Sequence, residues 1–228
     1  MLGIELRNRI RQMNPWLSQP EKAGQFMARF VPDTYVSREA EETPVRPDRA
    51  LLVIGPRQSG KSTMVWHRLL PISPHVLFLN MEDPLLKVGL GSVMDLVEHI
   101  EGDYSFVKAI FIDEIQHMNE AGLFVKGLVD SKLRIPIWVT GSASFHLRSK
   151  TRESLAGRAT RQRLLPFSLR EVLRHANPAN PVAARQIAEK AVGEMLVFGS
   201  YPAVFLAQGQ DERIMLLSDL VEALILRD

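Results

Sequence analysis

The sequence predicts an α/β fold: a mostly parallel sheet of about five strands with helices on both faces, followed by a small helical region. Short runs of aliphatic and β-branched residues recur between stretches with helical spacing. The runs are continuous rather than alternating, as in strands buried on both faces. Gly and Pro punctuate them, and the strand signals stop after Pro166.

The elements follow in order. Leu2, Leu6, Ile10 and Met13 form a stripe at helical spacing, and Asn14-Pro15 stops that helix. A second short helix is expected over Glu21–Phe30, with Pro20 in its first turn. Pro32, Pro44 and Pro47 bracket a charge-rich loop, so residues 1–47 read as a helical prelude and linker. The main unit, residues 48–175, opens with a strand over Arg49–Ile54. A Gly-rich turn and a helix over Lys61–Leu70 come next, ended by Pro71 and Pro74. His75–Leu79 is the second strand, and Leu85–Ile100 is helical in part, weakened by Gly89 and Gly91. Phe106–Ile112 is the third strand, Glu120–Asp130 a helix, Ile135–Thr140 the fourth strand and Arg161–Phe167 the fifth. Ser168-Leu-Arg-Glu171 is a capping box opening a short helix. Residues 176–228 are helical, over Val182–Phe198 and Asp211–Arg227. The last helix carries Ile214, Leu217, Leu220, Val221 and Ile225 on one face and runs straight into the chain end, which suits a chain truncated from a larger protein or a natural terminus packed on the domain.

Composition excludes several classes. An apolar share of 46% in 228 residues excludes a wholly disordered chain. A net charge of +2 is too small to argue for nucleic acid by itself. The absence of Cys removes a disulfide scaffold, a thiol nucleophile and any cysteine-based metal site. The histidines, at 67, 75, 99, 117, 146 and 175, lack metal-ligand spacing, so zinc is not expected. No apolar run approaches the ~18–20 residues that span a bilayer. The N-terminus lacks the unbroken apolar stretch of a signal peptide, and the chain reads as cytoplasmic.

Chemistry concentrates in a few places. Gly55-Pro56-Arg57-Gln58-Ser59-Gly60-Lys61-Ser62 fits G-x-x-x-x-G-K-[ST], between a buried strand and a helix. Turn amides and the helix N-terminus make a cradle for phosphates. Lys61 is expected at the β- and γ-phosphates and Ser62 at Mg²⁺, with Thr63 a polar neighbour on the phosphate side. Asp113 and Glu114 end an apolar strand, at the edge where open parallel sheets hold their ligands. Asp113 suits the metal ion, and Glu114 suits the polarisation of an attacking water. Thr140 and Ser142 close the fourth strand; either hydroxyl suits the γ-phosphate or the water, and spacing does not choose. Arg158 is expected in a loop at the sheet's C-terminal edge, facing the γ-phosphate of its own chain or a neighbour's. It lies in a stretch, Arg148 to Arg174, of net +6, while Glu82 to Glu120 carries −7. The two segments offer complementary surfaces for pairing within the chain or for self-association between subunits. The basic one also suits a nucleic-acid backbone, although it lacks interleaved aromatics for stacking. Glu82-Asp83 reads as the cap of the helix after Pro84.

Taken in order, Gly55–Thr63, Phe111-Ile-Asp-Glu-Ile-Gln116, Val139–Ser142, Leu155–Arg158, Leu165–Glu171 and Phe198-Gly-Ser-Tyr-Pro202 form a specific series. It resembles the AAA-like ATPase domain of a large group of prokaryotic ATP-binding proteins, which usually carry a further C-terminal domain of uncharacterised function. The resemblance covers roughly residues 48 to 228. It implies an additional-strand P-loop NTPase core with ATP and Mg²⁺ as ligands. It implies Lys61 and Ser62 at the phosphates and metal, Asp113 and Glu114 as the acidic pair, and a sensor residue in Thr140–Ser142. Arg158 matches the family's Gly-Arg motif. Ser62 stands where Thr is commoner, and against the family's usual length the C-terminal domain is missing or barely begun at Asp228. Residues 1–47 match nothing in the pattern.

The leading expectation is an ATP hydrolase that couples Mg-ATP binding and hydrolysis to conformational change in itself, in a homo-oligomer or in a protein client. A slow or inactive nucleotide-binding switch and a nucleic-acid-stimulated motor are the alternatives. A small-molecule kinase is disfavoured, because nothing beyond the phosphate loop suggests an acceptor pocket.

Overall fold

The computed structural model describes residues 1–142 and 154–225. Five strands form one sheet: β1 (Ala50–Gly55), β2 (Val76–Asn80), β3 (Ala109–Asp113), β4 (Ile137–Ser142) and β5 (Ala159–Arg163). Their spatial order is β2-β3-β4-β1-β5, and every pairing is parallel. Central strands in such a sheet are covered on both faces, which is why β1, β3 and most of β4 are buried throughout.

The helices fall where apolar spacing and caps put them. α1 (Ile4–Met13), α2 (Pro15–Ser18) and α3 (Ala23–Met27) precede the sheet. α4 (Lys61–Leu69) follows β1, α5 (Pro84–Gly89) and α6 (Val93–Asp103) follow β2, and α7 (Ala121–Asp130) follows β3. The helical run expected after Pro84 breaks at Leu90-Gly91, and each half has its own cap: Asp83 accepts from the amides of Leu85 and Leu86, and Ser92 from that of Asp95. α8 (Leu169–Ala176), α9 (Pro181–Phe198), α10 (Pro202–Leu206) and α11 (Gln210–Ile225) form the helical region. The capping box read at Ser168–Glu171 is present with both of its hydrogen bonds.

Some boundaries differ for physical reasons. Pro15 does not simply end α1; it opens α2 at the position where a proline needs no amide. β5 was expected over Arg161–Phe167 but spans Ala159–Arg163, because its ladder extends only as far as β1 runs beside it. The amide of Leu164 makes a last bond to the Ile54 carbonyl, and Pro166 has no amide to continue the ladder. On the face predicted for α11, Leu220 is buried, whereas Ile214 and Val221 are exposed. Among the described residues no helix is long and apolar enough to cross a membrane.

The first thirty residues join the main core. Leu6, Ile10, Trp16 and Met27 belong to the same buried cluster as the strands. Trp16, Phe30, Trp66, Phe78 and Phe111 form one aromatic group, with Phe30 stacked on Trp66 at 4.4 Å between ring centres. This places α4 and the N-terminal segment on one face of β2 and β3. The segment also closes an exposed sheet edge. β2 is an edge strand, and edges present unpaired backbone groups. The buried Asn14 side chain accepts from the Phe78 amide at 2.6 Å and donates to the Phe78 carbonyl at 2.8 Å, as a neighbouring strand would. The Trp16 indole N–H donates to the Val76 carbonyl at 2.8 Å.

Asn14→Ala leaves both Phe78 groups buried without partners, and we expect it to lower unfolding stability by about 2–4 kcal/mol. Urea unfolding measures this; a loss below about 0.5 kcal/mol would mean that the edge is not held by Asn14.

Candidate functional site

The phosphate-type loop is built by two constraints at the end of β1. A Cβ on Gly55 would meet the Leu164 carbonyl oxygen at 2.0 Å, so only glycine lets β1 lie this close to the end of β5. The chain then turns through Gln58 (φ 59°) and Gly60 (φ 86°), both left-handed, a conformation that costs glycine little. α4 starts at Lys61, so its first amides lack acceptors within the helix and are available to an anion. The buried Ser59 hydroxyl donates to the Pro56 carbonyl at 2.9 Å. Lys61 is also buried, and its Nζ donates to that same carbonyl at 2.9 Å. Burial pushes the lysine pKa down, while Glu114 and Asp113 oppose the shift.

The acid pair reaches this loop across β4. Because β4 lies between β1 and β3, the hydroxyl of Thr140 stands between the two sites. Ser62 Oγ donates to Asp113 Oδ1 at 2.7 Å. Thr140 Oγ1 donates to that same oxygen and accepts the Glu114 amide at 3.0 Å. Burial pushes the Asp113 pKa up, and the two hydroxyl bonds oppose the shift. Glu114 takes a left-handed backbone (φ 54°) and leads into the turn Ile115–His117. Gln116 Nε2 donates to Glu114 Oε2, and the Ser142 amide donates to Gln116 Oε1 at 3.0 Å. Thr140 and Ser142 therefore differ: Thr140 uses its hydroxyl to hold the acid pair, and Ser142 uses its backbone to hold Gln116. A serine hydroxyl beside a carboxylate is a hard-oxygen donor set suited to Mg²⁺. A buried lysine next to unpaired helix amides suits phosphate. The residues present fit both groups.

A mostly apolar cavity of about 530 Å³ adjoins the loop at Gly60 and Thr63. Tyr35, Val36 and Arg38 line one side, and Phe167, Pro202 and Leu206 the other. The motifs around Phe167 and Pro202 meet here, since the Phe167 amide donates to the Ser200 carbonyl at 2.8 Å. Arg38 ties the cavity together. Its guanidinium donates to the Glu171 carboxylate at 3.0 Å, to the Ser59 carbonyl at 2.9 Å and to the Leu165 carbonyl, and lies 4.9 Å from the Phe167 ring centre. Tyr35 donates to Glu41 at 2.6 Å and stacks on His67 of α4. Burial pushes its phenol pKa up, and Glu41 adds to the shift. Sequence reasoning missed Tyr35, Val36 and Arg38: they lie in the segment without a motif, and a lone arginine in a charged loop carries no signal of burial.

The structure corrects the placement of Arg158. A residue just before a parallel strand sits at that strand's N-terminal edge, whereas the phosphate-type loop follows the C-terminal edge of β1. The Arg158 carbonyl accepts from the amide of Ala50, the first residue of β1. Five strand residues separate it from the loop side, roughly 16 Å at about 3.3 Å per residue. Arg158 Nε donates to both carboxylate oxygens of Asp130, at 2.8 and 2.9 Å, and its own chain's loop is beyond its reach. Among the described residues of the basic stretch, Arg170 also pairs with Glu39 and Arg174 with Glu42. Residues 143–153, with Arg148 and Arg152, lie outside the described residues.

A parallel sheet with one extra strand between the loop strand and the acid strand, followed by helices, is a P-loop NTPase fold. A family model described as an AAA domain matches residues 47–173, and the chain belongs to that family. An uncharacterised protein of Methanocaldococcus jannaschii is 27% identical over 192 residues. The match covers 80% of this chain but 42% of that relative, so the chain spans under half the length of the curated protein it matches.

Thr140→Val keeps the shape and removes the hydroxyl that serves Asp113 and the Glu114 amide. We expect it to cost about 1–3 kcal/mol of stability, and Thr140→Ser to cost clearly less. Equal unfolding midpoints for the two variants would show that the hydroxyl does not hold the acid pair.

Proposed function

We propose that the chain binds Mg-ATP and hydrolyses it, and that nucleotide state moves the helical region relative to the sheet. The observation that carries this reading is the bonded series Ser62–Asp113–Thr140–Glu114, which joins a phosphate-type loop to an acid pair across β4. In the reading, Lys61 leaves the Pro56 carbonyl for the β- and γ-phosphates, and the amides at the start of α4 bind phosphate oxygens. Ser62 and Asp113 would hold Mg²⁺, which when bound neutralises phosphate charge. Glu114 orients a water and accepts its proton as the water oxygen bonds to the γ-phosphorus; the bond to the bridging oxygen breaks, and ADP carries the electron pair away. The apolar cavity beside Gly60 and Thr63 is the space offered to the base. Coupling is supported by Arg38, which bonds the loop at Ser59 and the helical region at Glu171 with one side chain.

Arg158 enters this reading only in trans, at the site of a second chain, after release from Asp130. Mixing Arg158→Ala chains with Lys61→Ala chains then restores part of the turnover that each lacks. Folded, co-assembled chains without recovery would remove Arg158 from the reaction.

Lys61→Ala is expected to weaken ATP binding by ~2–4 kcal/mol, roughly 30- to 1000-fold. Glu114→Gln is expected to bind ATP normally and lose turnover, because the base is gone while the shape remains. Calorimetry for the first and phosphate release for the second are the checks. Unchanged affinity in Lys61→Ala, or wild-type turnover in Glu114→Gln, would contradict the reading.

A further inference from the structure

Gln116 has no role in the reaction as described so far, yet it sits at the junction of three elements. Its amide can donate and accept at once. The NH₂ donates to Glu114 Oε2, and the carbonyl accepts the Ser142 amide at 3.0 Å. Ser142 is the last residue of β4 and stands in register with Gly55, the first residue of the phosphate-type loop. Gln116 therefore connects the Glu114 carboxylate to the strand beside that loop.

The backbone around Gln116 is held firmly. Ile115 is fully buried and Met118 nearly so. The His117 amide bonds the Glu114 carbonyl at 3.1 Å, and the Met118 amide bonds the Ile115 carbonyl at 3.0 Å. Glu114 itself is anchored at its amide by Thr140. A glutamate side chain has three rotatable bonds, so an anchored backbone does not by itself orient the carboxylate. The Gln116 bond supplies that missing restraint. Turn stability alone does not need it, because the turn already has its own backbone bonds and two buried apolar residues.

We propose that Gln116 is a positioning residue for hydrolysis, holding the Glu114 carboxylate against the end of β4 in the orientation from which it takes a proton from water. This rests on the assignment of Glu114 as the base. Positioning acts on the chemical step and leaves the phosphate contacts at Lys61 and Ser62 alone, so its mark is a fall in kcat at constant KM.

The test compares Gln116→Leu, Gln116→Glu and Glu114→Gln in the 228-residue chain, by steady-state phosphate release and calorimetric ATP affinity. Gln116→Leu removes both hydrogen bonds. Gln116→Glu keeps the shape and the acceptor for Ser142 but removes the donor to Glu114. Both are expected to lower kcat about 10- to 100-fold with KM and ATP affinity within about twofold of wild type. Adding Gln116→Leu to Glu114→Gln should lower kcat no further, because both changes act through one group. Wild-type kcat in both Gln116 variants, with Glu114→Gln inactive, would overturn this proposal and leave the Glu114 assignment standing. A parallel loss of ATP affinity, or failure of both variants to fold, would assign Gln116 to the fold and overturn it too. Wild-type turnover in Glu114→Gln, or none in the wild-type chain, would remove the assignment itself and this proposal with it.

Discussion

A single oxygen atom organises the candidate site. Asp113 Oδ1 receives the hydroxyls of Ser62 and Thr140, and those side chains come from the helix after β1 and from β4. A buried carboxylate is costly unless its charge is answered by donors or a cation. That cost makes the arrangement exacting: β4 must lie between β1 and β3, Thr140 must face its C-terminal end, and α4 must begin where Ser62 can reach. The sheet order meets the first requirement, and the bonds of Thr140 and Ser62 to Asp113 meet the other two. Burial pushes the Asp113 pKa up, and the two hydroxyl bonds oppose that shift.

A second network binds the N-terminal segment to this centre. Arg38 is buried, and a buried guanidinium is tolerated only when its donors find partners. Here they find Glu171, Ser59 and Leu165, contributed by three parts of the chain. Glu171 also accepts the amides of Glu39 and Ser168, so it serves as helix cap and counter-ion together. Arg38 thereby bonds the phosphate-type loop at Ser59 and the start of the helical region at Glu171 with one side chain. The N-terminal segment contributes twice: its first part closes the β2 edge through Asn14 and Trp16, and its later part walls the cavity.

The first four strands were legible because each is a buried aliphatic run bounded by turn residues, whereas β5 is polar and partly exposed and its bounds were misjudged; the loop was legible because Gly55, Gly60, Lys61 and Ser62 stand at a fixed spacing after the first strand. Asp113 and Glu114 were legible as acids ending such a strand. The bond from Thr140 to Asp113 was not, because it depends on the register that sets β4 beside β3. Arg158 was misplaced because the chain must return across the sheet to begin a parallel strand, so its neighbour in sequence lies at the far edge. Arg38 and Asn14 were invisible for a common reason. Each is a polar residue buried by long-range partners, separated from Arg38 by 133 positions at Glu171 and from Asn14 by 64 at Phe78, and local patterns carry no information over such spans.

The central claim is that this loop and acid pair hydrolyse ATP with a divalent ion held by Ser62 and Asp113. The most direct measurement is phosphate release from ATP by the 228-residue chain, with magnesium and again with magnesium chelated by EDTA. The account predicts steady release with magnesium that stops on chelation and returns when magnesium is restored. Release at the same rate in both conditions, or none in either, would contradict it.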